Sequence, residues 1–227
     1  MNEVQRIKKA YKNRKHDADL YSYFNKAALF INQGKERAIL DILSICNIKN
    51  ISHKKILDLG CGTGGVLRDF LRYGANPELC CGIDLLPERI EVAKKLSPNI
   101  DFRCGNAEKL PYKTNSFAIL LSFTVFSSIL DKDMKINIAH EMLRVIKSNG
   151  IILWYDFHMN NPQNRDVRGI KKNEIRRLFV NCDLRFNRIT LAPPMVRIIA
   201  PYSFIICYLL EMINIFNTHY IGIISKR

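Results

Sequence analysis

The 227-residue chain is poor in the features that divide a protein into parts or staple a small one together. No proline-, glycine- or serine-rich linker and no shift of composition interrupts it, so the whole length, 1–227, reads as one domain with a well-buried core. Its seven cysteines form no C-x-x-C pair and lie beside no ligand-spaced histidines. That argues against a disulfide framework and against a zinc site, and leaves reduced thiols used mostly as small core residues. The opening "MNEVQRIKKAYKNRKHD" is charged with no apolar run behind it, which is not the pattern of a secretory leader and points to the cytosol. Internal repeats and low-complexity tracts are also missing. Acidic residues are scarce, 21 against 35 Lys and Arg, for a formal charge of +14. Such an excess attracts polyanions, whether RNA, anionic headgroups or phosphorylated intermediates, or merely solvates a lysine-rich surface.

What is present is an alternation of two periods. Helical spacing of Ala38, Ile39, Ile42, Leu43 and Ile45 predicts a helical N-terminal region. Then "KKILDL" predicts a strand, "GGVLRDFLRYG" a helix stopping at Gly74, "LCCGIDL" a strand, and "PERIEVAKKL" a helix opened by Pro87. "IDFRCGNA" and "SFAILLSFT" supply two further strands. "DKDMKINIAHEMLRVIKSNG" predicts a helix closed by Gly150, and "GIILWYDF" a fifth strand. A helix and a strand follow, and "THYIGIISK" closes the chain as a strand. The βαβ alternation with short apolar strands predicts an α/β fold, a parallel sheet covered by helices on both faces, with ligands beyond the C-terminal strand ends.

The stretch "ILDLGCGTGG" fits two ligands. Gly60, Gly62 and Gly65 match the G-x-G-x-x-G of dinucleotide folds, while Gly60, Gly62 and Gly64 match the G-x-G-x-G turn of S-adenosylmethionine binding. Asp58, directly before the turn, separates them: it would repel a pyrophosphate and attract a sulfonium or an ammonium. Asp84, ending "GID", is placed to take both hydroxyls of a ribose in either case.

Together "ILDLGCGTGG", "GIDLLPERIEVAKK", "CGNAEKLPY", "SFAILLSFTVFSSI" and "EMLRVIKSNGIILWYDF" resemble the ordered motif set of class I S-adenosylmethionine-dependent methyltransferases, of the type related to ubiquinone/menaquinone-biosynthesis enzymes, over about residues 35–160. The resemblance implies a Rossmann-like, doubly wound, mostly parallel seven-stranded sheet with an antiparallel last strand. It divides the chain into an N-terminal helical cap (1–50), a cofactor-binding core (51–160) and an acceptor-side segment with the closing strands (161–227). It implies S-adenosyl-L-methionine as cofactor, with Asp58, Gly60, Cys61, Gly62 and Gly64 at its methionine end and Asp84 with Leu85 at the ribose. Asn106 and Ala107 would meet the adenine, and Ser122 and Phe123 would lie opposite the methionine. No metal is implied. Tyr21, Tyr23 and Phe24 would fold over the cofactor as an aromatic lid, or pack as part of a covering helix.

An alcohol acceptor needs a proton removed, and "WYDFHMNNP" leaves the fifth strand on the acceptor side with Asp156, His158, Asn160 and Asn161. His158 is the expected base, since imidazole titrates near neutrality, with Asp156 beside it and His219 second in line; a plain hydrogen-bonded histidine is the alternative. His16, His53 and His140 read as surface residues. The acceptor itself is less legible. An N/D-P-P-Y/F/W element and a catalytic cysteine are both missing after the fourth strand, which counts against nucleobases. Within the insert Val196 to Phe216, the polar residues from Tyr202 onward are Ser203, Cys207, Glu211 and Asn214, on one stripe about 80° wide that leaves the remaining circumference apolar. It is too short and interrupted for a span of roughly twenty residues. Its cover is its own domain, a second subunit, a lipidic acceptor or a bilayer surface. With Arg165, Arg168, Lys171, Lys172, Arg176 and Arg177 nearby, the expected acceptor is a small molecule, glycan or lipid-linked compound, methylated at oxygen, with peripheral contact to an anionic membrane on its inner face. RNA, or a silent cofactor-binding partner subunit, are the alternatives.

Overall fold

The computed structural model describes residues 2–13, 18–161 and 164–227; His16 lies outside them. Three helices come first, α1 (Glu3–Asn13), α2 (Ala18–Tyr21) and α3 (Lys26–Ile45). The Asn25 side chain opens α3 by accepting from the amides of Ala27 and Ala28. The core then runs β1 (Ile56–Leu59), α4 (Gly65–Arg72), β2 (Cys80–Asp84), α5 (Pro87–Leu96), β3 (Asp101–Cys104), β4 (Phe117–Phe123), α6 (Lys132–Val145) and β5 (Ile146–Phe157). The C-terminal part adds α7 (Lys172–Leu178), β6 (Cys182–Leu191), α8 (Pro193–Ile199), α9 (Phe204–Met212) and β7 (Asn217–Lys226).

The seven strands form one sheet in the order β3-β2-β1-β4-β5-β7-β6. β1 to β5 pair in parallel, and β7 is inserted between β5 and β6, antiparallel to both. β1 is buried at every residue because it lies between β2 and β4 under helices on both faces. Alternate residues feed two cores: Leu57, Leu59, Leu120 and Trp154 meet α6 and α7, while Ile56, Ile119, Leu121 and Leu153 meet α3, α4 and α5. The turn from β1 to α4 and the ends of β2 and β4 therefore share one edge, where the sheet order reverses.

Two elements differ from their sequence patterns. Helix α6 stops at Val145 rather than at Gly150, because the amides of Asn115 and Ser116 take the carbonyls of Arg144 and Val145. Ile146 already pairs with Phe117, residues 147–150 bulge, and pairing resumes at Ile151 with Ile119. A Cβ on Gly150 would come within 2.8 Å of Ile146 Cγ1, so this glycine serves close packing inside β5, not the end of a helix.

The insert before β7 is the second. α8 and α9 touch the body through a small cluster of Ala27, Phe30, Leu191, Val196, Ala200 and Cys207. The polar stripe turns inward at Cys207 and Glu211, while Asn214 at its end stays exposed. Cys207 is fully buried, Glu211 Oε1 accepts from the amides of Thr190 (3.0 Å) and Leu191, and Asn214 Oδ1 accepts from Asn217 Nδ2. The inward stripe caps the free end of β6, where backbone amides need acceptors. The apolar circumference faces out.

Candidate functional site

The turn after β1 is built from three glycines at left-handed φ: Gly60 (+70°), Gly62 (+54°) and Gly64 (+81°). A Cβ on Gly60 would come 2.8 Å from Val125 Cγ2, and one on Gly64 2.7 Å from Phe102 Cζ. Both the conformation and the space demand glycine. The turn is tied to β2 by the amides of Gly60 and Cys61, which donate to the Ile83 carbonyl at 2.8 and 3.0 Å. Asp84 completes the bracing: Oδ2 accepts from the Gly62 amide at 2.8 Å and Oδ1 from the Leu86 amide at 2.9 Å. A carboxylate has about four lone-pair sites, so two stay free for a ligand.

A cleft open to solvent lies beyond these strand ends, where α/β sheets of this kind take their ligands. Of the residues expected at the cofactor, Gly60, Asp84, Leu85, Asn106, Ala107 and Phe123 line it. Asp58, Cys61, Gly62, Gly64 and Ser122 are not in the lining. Cys61 is buried behind the turn, where burial pushes its thiol far up. Ser122 is wholly buried, and its hydroxyl has no partner among the described residues. Asn106 is held in a local turn, accepting from the Glu108 amide and donating from Nδ2 to Glu108 Oε2 at 2.8 Å.

Asp58 is buried, and its Oδ2 has no hydrogen-bond partner among the described residues. Burial first, then the nearby charge of Asp84, pushes its carboxyl well up, with the Lys35 ammonium opposing. An orphaned acid beside a glycine turn suits a cationic ligand end and disfavours a pyrophosphate. With the free lone pairs of Asp84, the donor set fits S-adenosylmethionine.

The residues that roof the cleft escaped the sequence reading. Ile7 and Tyr11 of α1 line it, and the Arg89 guanidinium sits 4.5 Å from the centre of the Tyr11 ring. Glu3 accepts from the Leu130 amide at 2.6 Å, Arg6 donates to the Ser128 carbonyl at 2.7 Å, and Tyr11 bonds the Ser128 hydroxyl. Tyr21, Tyr23 and Phe24 are instead exposed. The i, i+4 spacing of Ile7 and Tyr11 on an otherwise basic helix was the available signal.

At the end of β5, outside the cleft lining, Asp156 is fully buried, with Oδ2 accepting from the Ser127 amide (3.0 Å) and Oδ1 from the Phe157 amide (2.8 Å). Burial raises its carboxyl to about 6 against those hydrogen bonds. His158 is buried, stacks on Tyr220 at 4.5 Å and places Nε2 2.8 Å from the Asn217 carbonyl. A carbonyl only accepts, so Nε2 carries the proton and the neutral ring leaves Nδ1 with its lone pair. Burial lowers its pKa, and the charges of Arg188 and Lys171 add to this against the Asn217 bond. His219 stacks flat on Tyr155 and is held neutral by burial, its pKa lowered to about 3. Asn160 accepts from the Gly169 amide. No group of His, Cys, Asp and Glu among the described residues is arranged to hold a metal ion.

Residues 56–150 match the family model described as a methyltransferase domain. Norajmaline N-methyltransferase of Rauvolfia serpentina is 29% identical over 160 residues, 65% of this chain and 53% of that protein. A ubiquinone biosynthesis O-methyltransferase of Bartonella bacilliformis is 36% identical over 94 residues, 40% of this chain and 37% of that protein. The chain thus spans about half, or less, of the length of these curated relatives. A SAM-dependent methyltransferase structure from Methanosarcina mazei superposes with a TM-score of 0.60 at 16% identity, covering 80% of this chain and 96% of that one, a likeness of fold. With the left-handed glycine turn, the acid ending β2 and β7 reversed between β5 and β6, these matches identify residues 56–150 as similar to a methyltransferase domain and support a class I S-adenosylmethionine-dependent methyltransferase.

Proposed function

We propose that this protein transfers a methyl group from S-adenosylmethionine to an oxygen of a small-molecule, glycan or lipid-linked acceptor. The observation that carries the reading is the pair of acids around the glycine turn, Asp84 with two lone pairs left over and Asp58 with a buried orphan oxygen. The cofactor supplies an electrophilic methyl on a positively charged sulfur, so the protein's task is orientation and exclusion of water. Asp84 orients the ribose, Leu85, Asn106 and Ala107 bound the adenine end, and Asp58 favours the positive methionine end. Gly60, Gly62 and Gly64 keep the backbone thin enough for approach, Phe123 shapes the wall, and Cys61 and Ser122 pack behind it. Ile7 and Tyr11 close the roof.

His158 is the base in this reading: the Asn217 carbonyl fixes its proton on Nε2 and leaves Nδ1 to take the acceptor's proton. Asp156 is a positioning residue that holds the Phe126–Ser128 turn through the Ser127 amide. Relatives named for transfer to nitrogen and to oxygen share this framework, so the oxygen preference rests on His158 alone. The reading includes a cytoplasmic protein in peripheral contact with the inner face of a membrane; among the described residues no helix is long and apolar enough to cross one.

The test is transfer of labelled methyl into a cell extract split into lipid, polysaccharide, RNA and protein fractions, with Asp84→Ala as control. Label in lipid, polysaccharide or a soluble small molecule that vanishes in the control supports the reading. Label in RNA would replace it, as the charge of +14 allows. Binding of cofactor with no label in any fraction would point to an acceptor missing from the extract or to a silent partner subunit.

A further inference from the structure

The insert between β6 and β7 leaves the sheet at the edge that carries the cofactor cleft. β6 ends there beside the end of β5, since Phe157 pairs with His219 and His219 with Ile189. Its outward face is largely apolar, with Arg197 and Asn214 as exposed polar side chains: Ile205 is 74% exposed, and Ile206, Leu209, Met212, Ile213 and Ile215 are exposed as well. A second, distant segment adds to the same surface. Lys26 Nζ donates to the Pro201 carbonyl at 2.9 Å, which sets Phe24, 100% exposed, and Tyr23 close to Tyr202, 90% exposed. Two stretches of chain 175 residues apart thus place aromatic and aliphatic side chains in water on one side of the molecule. A contiguous apolar surface of this kind is uncommon on soluble monomers unless it meets something.

Charge says what it meets. From Ala192 to Asn217 the only carboxylate is Glu211, and it is turned inward to cap the Thr190 and Leu191 amides. The cations beside the face are Lys26 at Pro201, Arg197 on α8, and Arg37, whose guanidinium lies 5.0 Å from the centre of the Tyr208 ring. A second copy of the chain would bring these cations against their own kind, with no acid on the insert to answer them. Anionic headgroups answer them directly, while the aliphatic side chains enter the boundary with the acyl chains and the tyrosines stay at headgroup level.

We propose that the α8–α9 surface, with Tyr23 and Phe24, docks on an anionic bilayer and turns the cofactor edge of the sheet toward it, so that the acceptor is an amphiphile held in that membrane. The second half rests on the methyltransferase reading above; the docking itself does not. The wild-type protein is sedimented with vesicles of phosphatidylcholine alone and with added phosphatidylglycerol, beside an Ile205→Glu/Leu209→Glu variant. Both residues are exposed, so the fold is kept, and S-adenosylhomocysteine affinity and the melting temperature check it. The expected result is partition of wild type onto the phosphatidylglycerol vesicles, weakened but not abolished by salt, and at least tenfold weaker partition of the variant with unchanged S-adenosylhomocysteine affinity. Failure to bind either vesicle at low salt would overturn the docking. So would a stable dimer in light scattering that the two substitutions split, since the face would then belong to a second copy. Vesicle binding without S-adenosylhomocysteine binding would keep the docking and remove only the cofactor reading.

Discussion

Asp84→Ala removes one carboxylate that does two jobs, and the two can be measured apart. In the structure its oxygens accept from the Gly62 and Leu86 amides, which leaves two lone pairs on a residue that lines the cleft. Two hydrogen bonds from ribose hydroxyls to a charged acceptor are worth about 1.5–3 kcal/mol each, so their loss costs about 3–6 kcal/mol of binding. At 1.4 kcal/mol per tenfold, S-adenosylhomocysteine should bind roughly 10² to 10⁴ times more weakly. The amides left behind add a stability cost without ligand. Water entering from the cleft satisfies them in part, so about 1–3 kcal/mol is expected, with a melting temperature lower by roughly 2–4 °C for each. Asp84→Asn should fall between, because the amide keeps one acceptor oxygen but turns an NH₂ toward one of the two N–H donors. Calorimetric titration with S-adenosylhomocysteine, well below the melting temperature of every variant, separates binding from unfolding. An Asp84→Ala protein that binds within threefold of wild type would refute the ribose assignment, even if its melting temperature had dropped as expected.

Gly64→Ala and Gly74→Ala put the same methyl on backbones of similar φ, +81° and +96°, but the first meets Phe102 at 2.7 Å and the second nothing within 4 Å. Both should lose about 1–2 kcal/mol from the left-handed conformation, and Gly64→Ala about 1–3 kcal/mol more from overpacking; equal melting temperatures would count against the steric account. His219, neutral in the fold with a pKa lowered to about 3, takes a proton in the unfolded chain below its ordinary value near 6.5, so stability falls as pH drops through that window by about 1.4 kcal/mol per unit. His219→Phe keeps the stack on Tyr155 and should flatten the fall in melting temperature between pH 7.5 and pH 5; parallel curves would show that His219 does not set it. Tyr11→Ala should weaken S-adenosylhomocysteine binding about tenfold by opening the roof and freeing Arg89, and unchanged affinity would place the ligand away from α1.

The parts of the fold legible in the sequence are those whose signals are local. A glycine turn needs its residues at fixed positions, a strand buried on both faces reads as an apolar run, and Asp84 sits where its strand ends, so β1, β2 and the turn after β1 follow from short windows. The parts that were not legible depend on what lies across space. Whether α6 continues to Gly150 is decided by the Asn115 and Ser116 amides, about thirty residues away from that helix's end in chain order and hydrogen-bonded to it in space. The stripe of Ser203, Cys207, Glu211 and Asn214 was visible, but its direction was not: only the free amides of Thr190 and Leu191 show that the polar side is the inner one. The roof over the cleft likewise comes from pairing Glu3 and Arg6 with a turn about 125 residues on, which no local pattern encodes.

β7 is the sole link between β6 and the rest of the sheet. As the chain emerges from the ribosome, β1 to β5 can assemble in order, but β6 has no strand to pair with until residues 217–226 have been made, and the α8–α9 hairpin must wait as an open loop. During that interval its apolar side chains and the unpaired edge of β5 are exposed together in the nascent protein. A stop codon anywhere in β7 would therefore delete more than one strand: it would release β6 and the insert as well, leaving a five-stranded remnant with a sticky margin, a natural client for chaperones rather than a smaller working enzyme.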